Sequence, residues 1–125
     1  MEPIARLRNI VVDCPDPKAL ADFYAGVTGW EITNADDEWV SLHDGGAVRL
    51  CFQRAEDHRP PDWPGSERPQ QLHLDFRVDD MAAAEARVLA LGAVKHDHQP
   101  GEEDPDEDFR VYLDPAGHPF CLFAG

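Results

Sequence analysis

The sequence predicts an α+β fold: two βαβββ modules forming a curved mixed sheet around a central cavity. Three observations carry this expectation. The segment Asn9-Ile-Val-Val-Asp-Cys-Pro-Asp16 aligns with His73-Leu-Asp-Phe-Arg-Val-Asp-Asp80, so that Asn9 matches His73 and Asp16 matches Asp80 at one common offset. A helical apolar period follows each segment and ends at a glycine, Gly29 or Gly92. Three short strand-like runs separated by turn residues come after each helix. A repeat at about half the chain length is a strong constraint on fold, and strands joined by hairpins with one crossover helix per half give mixed sheets covered on one face.

In the first half, residues 7–13 read as a strand. Asp16 supplies an N-cap oxygen and Pro17 a first-turn proline. Ala19, Leu20, Phe23, Tyr24 and Val27 then recur at helical spacing. Residues 30–33, 39–42 and 48–53 read as three strands, with turns at 34–37 and 44–46. The first module spans 5–53. Residues 54–70 form a linker, because Arg59-Pro60-Pro61-Asp62-Trp63-Pro64 cannot sit inside a sheet when proline gives no donor to a ladder. Trp63 is expected to pack over the domain rather than to act as a lid. The second module spans 71–125. Strands are expected at 71–78, 93–97, 109–113 and 120–123, with a helix capped by Asp79 or Asp80 and a tight turn at Asp114-Pro115-Ala116-Gly117.

The 125 residues fit one domain that buries a core without staples. No apolar run approaches a membrane span, and Met1-Glu2-Pro3-Ile4 lacks the pattern of a signal peptide, so a cytoplasmic location is expected. Cys14, Cys51 and Cys121 are odd in number and widely spaced, which suits free thiols in a reducing compartment better than a disulfide framework. With 11 basic and 25 acidic residues the net charge is −14. That field disfavours nucleic acid and anionic membranes as partners and suits a cationic small molecule. Part of it is local: Glu102 to Asp108 holds six acids in seven residues and reads as a solvated loop.

Strand alternation sorts the side chains. Leu74, Phe76 and Val78 should pack under a helix, leaving His73, Asp75 and Arg77 on the other face. Leu50 and Phe52 oppose Arg49, Cys51 and Gln53, and Ile10 and Val12 oppose Asn9, Val11 and Asp13. Trp39 and Tyr112 are assigned to the polar face by the same parity. Parity leaves two readings of that face open, a polar-lined cavity or a solvated sheet surface.

Leu7-Arg-Asn-Ile-Val-Val-Asp-Cys-Pro-Asp-Pro17, Ala21-Asp22-Phe23-Tyr24 and Gly29-Trp30 together resemble the opening of glyoxalase and bleomycin-resistance proteins. The segment His73 to Asp80 resembles the opening of their second module, and Asp114-Pro-Ala-Gly-His-Pro-Phe120 their closing hairpin. The likeness to this vicinal oxygen chelate superfamily covers nearly the whole chain. It implies four metal positions, in the first and last strand of each module, typically filled by His, Gln and Glu. Carried over, they fall on Asn9, Cys51, His73 and Cys121. Only His73 matches the pattern, and no Glu stands where the general base would be. A divalent metal is therefore disfavoured as a cofactor, although His73, Cys51 and Cys121 are donors that suit zinc.

These residues support two functions. One is a glyoxalase- or bleomycin-resistance-like protein that binds a small molecule, a cationic one being compatible with the acidic field, through Asn9, Asp13, Trp39, Arg49, Gln53, Arg77 and Tyr112. The other is a metal-dependent lyase, isomerase or dioxygenase. In either case His73 and Asp75, two apart on one face, are the candidates for proton transfer near neutral pH. Relatives of this size pair modules within one chain or exchange them between two, and a homodimer is expected.

Overall fold

The computed structural model describes residues 2–104, 106 and 108–124. Pro105 and Glu107 of the acidic run, together with both terminal residues, lie outside the described residues. The chain forms two compact units, Met1–His58 and Arg59–Gly125.

Each unit is a βαβββ module. The first runs β1 (Asn9–Cys14), α1 (Pro17–Thr28), β2 (Glu31–Ala35), β3 (Trp39–His43) and β4 (Arg49–Arg54). The second runs β5 (Leu74–Val78), α2 (Met81–Ala90), β6 (Val94–Lys95), β7 (Phe109–Leu113) and β8 (Pro119–Ala124), with a 3-10 turn at Pro100–Glu103. The strand order is β1-β4-β3-β2 in one four-stranded sheet and β5-β8-β7-β6 in the other. In both, the first and last strands of the module pair in parallel and the remaining pairs are antiparallel. The expected α+β architecture of two similar modules is thus present.

The two helices start alike because the sequence repeats its cap. Asp16 Oδ1 accepts from Ala19 N–H and Asp80 Oδ1 from Ala83 N–H, each at 3.1 Å, so each satisfies a donor that the first helical turn leaves free. Helix α1 ends at Gly29, whose φ of 74° lies in the left-handed region. Leu20, Ala21, Phe23 and Tyr24 of α1 are buried. Tyr24 stacks on Phe52 at 5.6 Å, which identifies Val40, Leu42, Leu50 and Phe52 as the helix-covered side of the first sheet. In the second module Phe120 packs against both Phe76 and Tyr112, and Leu122 and Val88 complete that side.

Several boundaries differ from expectation for identifiable reasons. β5 begins at Leu74, not at residue 71. Extending its ladder by one residue would set His73 against Pro119, which has no N–H to give. β6 is two residues rather than five. Beyond His96, whose N–H reaches Val111 O at 3.0 Å, the Gln99 side chain takes over as partner: its Nε2 donates to Val111 O and its Oε1 accepts from Val111 N. β2 extends to Ala35 through a bulge between Ile32 and Asn34, and the following turn is closed by Asp36 Oδ1, which accepts from Glu38 and Trp39 N–H. Residues 59–70 pack within the second unit. There Gly117, at a φ of 89°, lies so close to Pro60 that a Cβ would collide with it.

Candidate functional site

The uncovered face of each sheet holds the candidate residues. In the first module, register places Asn9, Val11 and Asp13 beside Arg49, Cys51 and Gln53, with Trp39 opposite Gln53 and Ser41 opposite Cys51. The structure therefore brings six of the expected residues (Asn9, Asp13, Trp39, Arg49, Cys51 and Gln53) onto one face. Ser41, which parity did not single out, links two of them: Trp39 Nε1 donates to Ser41 Oγ at 2.8 Å, and Ser41 Oγ lies 3.5 Å from Cys51 Sγ. Asn9 Oδ1 is buried with no hydrogen-bond partner among the described residues. At the rim of this module Trp30, Glu31, Thr33, His43 and Asp44 border an open polar recess of about 520 Å³.

In the second module, Asp75 pairs with Cys121 and Arg77 with Phe123 across the parallel β5–β8 ladder. His73, immediately before β5, places Nε2 3.1 Å from Asp75 Oδ1. His73, Asp75 and Cys121 form the cluster of metal-capable donors found among the described residues, all within 4.8 Å of one another. Cys51 of the expected donor set lies in the other module, beside Ser41. Cys121 is buried. Its thiol is pushed up to about 12 by burial first, then by the charge of Asp75 and a hydrogen bond to it. The thiol therefore stays protonated at neutral pH.

Tyr112 is a correction to the sequence reading. Its register partner is Phe120, so it lies on the helix-covered side, and its hydroxyl donates to Glu85 Oε1 of α2 at 2.9 Å. The alternation of β7 has the opposite phase: Phe109 and Val111, not Tyr112, share the face of Cys121. Glu85 also receives Arg110 at 2.8 Å and Lys95 at 3.1 Å. Burial works to raise the Glu85 carboxyl, but hydrogen bonds from Lys95 and Tyr112 and the charges of Arg110 and Lys95 outweigh it and lower the pKa.

A cavity of about 250 Å³ opens on the uncovered face of the second sheet. Its walls are almost entirely apolar, from Phe109, Val111, Pro119, Phe123, Pro100 and Trp63, and its polar lining residues are His73, Cys121 and Gln70. Phe109 and Phe123 stack at 4.9 Å. Trp63, expected only to pack over the domain, is a cavity wall. Its ring meets His96 and His98 edge-on at 5.3 and 5.2 Å. His98 N–H donates to His96 Nδ1, so the ring hydrogen sits on Nε2 and donates to Trp63 O at 2.9 Å. The signal for Phe123 was its spacing of two from Cys121; no periodicity could have found Trp63, Gln70 or Pro100, which lie outside strands.

An imidazole, a carboxylate and a thiol form a donor set that suits zinc, leaving a fourth position open. Tetrahedral ligand atoms on zinc stand about 3.6 Å apart at its usual bond lengths, so donors spread over 4.8 Å would need to draw in by about an ångström. His73 Nε2 would also have to leave Asp75 or share with it. The residues thus fit an ion after a small rearrangement.

A model of the glyoxalase-like domain family matches residues 9–123. No curated protein matches the chain. Among solved structures it is similar to a putative glyoxalase from Bacillus halodurans, with 17% identity over 98% of this chain and 97% of the other and a TM-score of 0.71. A glyoxalase/bleomycin resistance protein/dioxygenase family enzyme from Burkholderia phytofirmans PsJN gives 19% identity over 96% and 98% and a TM-score of 0.70. Lactoylglutathione lyase from Agrobacterium tumefaciens gives 22% over 99% and 96% and a TM-score of 0.62. At such identities the structural likeness speaks to fold, whereas the family match spans nearly the whole chain: the protein belongs to the glyoxalase-like domain family, within the vicinal oxygen chelate superfamily.

Proposed function

We propose that the chain binds a small molecule in the second-module cavity, in the manner of the metal-free, bleomycin-resistance side of its superfamily. The observation that carries this reading is the 250 Å³ cavity with apolar walls and a few polar groups at its lining. Ligand pockets have this make-up: apolar area supplies affinity and a few polar atoms set orientation. His73 lines the cavity with Nε2 3.1 Å from Asp75 Oδ1, which gives the pocket a polar group to orient a ligand. A thermal-shift screen of small molecules tests the reading. Stabilisation by at least one compound, lost in Phe109→Asp and retained in Trp30→Ala, is the expected result. A hit that is indifferent to Phe109→Asp sinks it.

A second reading is favoured by the His73, Asp75 and Cys121 cluster. Bound there, an ion such as zinc would act as a Lewis acid on a substrate oxygen, as in a lyase, isomerase or dioxygenase, and the side chains would hold it. Elemental analysis of purified protein decides it: one metal per chain, lost in His73→Ala, supports the enzyme reading. Metal content near zero, with no uptake on zinc titration, removes it.

A further inference from the structure

The lining of the second-module cavity selects by charge and by shape. The chain carries a net charge of −14, yet among the described residues no carboxylate, lysine or arginine lines the cavity. Asp75 stands outside that lining, with its carboxylate 3.1 Å from His73 Nε2. An ion of either sign would give up its hydration against apolar walls with no counter-ion at the lining, which is strongly unfavourable. The acidic field of the whole chain draws cations toward its surface, but it supplies no partner inside this cavity.

The walls are stiff as well as apolar. Pro100 and Pro119 have no rotamers to lose, and Trp63, Phe109 and Phe123 turn about only two side-chain bonds each. Phe109 stacks on Phe123 at 4.9 Å, and the Gly101 backbone lies so close to Phe109 that a Cβ would collide with its carbonyl oxygen. Trp63 is braced by the rings of His96 and His98, and its carbonyl accepts from His96 Nε2. Walls already in place lose little freedom when a ligand arrives, and aromatic walls add edge and offset contacts that only another ring can return. An apolar cavity of about 150 Å³ takes up benzene, so about 250 Å³ suits two fused rings. We infer that the cavity takes an uncharged two-ring aromatic compound and rejects cations and anions of the same shape, and that Trp63 sets the preference for a ring over an alkyl chain. The inference rests on the small-molecule reading of the cavity above and specifies its ligand class.

Four probes separate the possibilities. Quinoline is uncharged at neutral pH, N-methylquinolinium is a cation of nearly the same shape, and 2-naphthoate is a two-ring anion. The fourth, 1-hexanol, is an uncharged flexible chain that leaves water about as readily as quinoline. Dissociation constants are read by two-dimensional NMR from the Phe109 and Phe123 backbone amide resonances, for the wild-type chain and Trp63→Leu. Quinoline should bind at least about tenfold more tightly than either ion, because burying an unpaired charge is so unfavourable. It should bind about fivefold more tightly than 1-hexanol, the worth of ring-on-ring contact. Trp63→Leu should shrink this second difference and leave the rejection of ions intact. A cation or an anion that binds as tightly as quinoline overturns the inference. So does 1-hexanol binding as tightly as quinoline, or a ring preference unchanged in Trp63→Leu. In each of these cases the pocket reading stands. Failure of quinoline to bind also overturns the inference and, joined to failure of the screen described above, takes the pocket reading down with it.

Discussion

Asp75 governs the chemistry of its neighbours without lining the cavity. Its carboxylate lies 3.1 Å from His73 Nε2 and within 4.8 Å of Cys121 Sγ. With the thiol pushed up to about 12, only about one molecule in ten thousand is thiolate at pH 8, and the thiolate is the species that reacts. Cys121 should therefore resist iodoacetamide in the folded protein, and Asp75→Asn should speed its alkylation several-fold by removing the charge and weakening the hydrogen bond. Mass spectrometry of the Cys121 peptide measures both; an unchanged rate in Asp75→Asn would mean that burial alone holds the proton. At this scale the sequence was half legible. His73 and Asp75 follow from strand parity and from the repeat, whereas Cys121 entered through the last-strand position that the family resemblance implies. Tyr112 shows the limit: its phase depends on where β7 meets β8, which pairing decides and composition does not.

At the scale of elements, the repeated caps were legible because their signal is local: an aspartate, then a helical period. Asp16→Ala and Asp80→Ala should each cost about 1 kcal/mol, the usual loss when a capping side chain is removed. Urea unfolding of the two single variants and the double variant measures this, and additivity is expected because the caps lie in separate compact units. Strand ends were less legible. The start of β5 is set by Pro119 on a strand more than forty residues away, and the end of β6 by the side chain of Gln99 replacing backbone. Such limits arise from partners distant in sequence, which a window of local propensity does not contain.

For the whole molecule, the repeat made the architecture readable, while the cavity was not, because its walls include residues outside the repeated strands. Stability against pH follows from groups in the second unit. Glu85 is held below its ordinary value of 4.5, so its contribution is present above that pH and is lost as pH falls through the lower folded value. Cys121 is raised from 9.0 to about 12 and Tyr112 is raised from 10.0, chiefly by burial. Their contribution is complete below about pH 9 and is lost as pH climbs toward the folded values. Calorimetric melting should thus be highest between roughly pH 5 and 9, with a flatter alkaline limb in Cys121→Ser and a flatter acid limb in Glu85→Gln. No helix among the described residues is long and apolar enough to cross a membrane, in keeping with the composition.

Trp63 and Pro100 come from a connecting segment and a 3-10 turn, not from the duplicated strands. The sheet can therefore stay fixed by its ladder while these two walls lengthen, shorten or change residue. The repeated modules supply a frame, and the segments outside them are the adjustable part. Selection, or a directed library confined to positions 61–70 and 100–103, can retune what this frame holds while His96 and Gln99 keep their bonds to Val111.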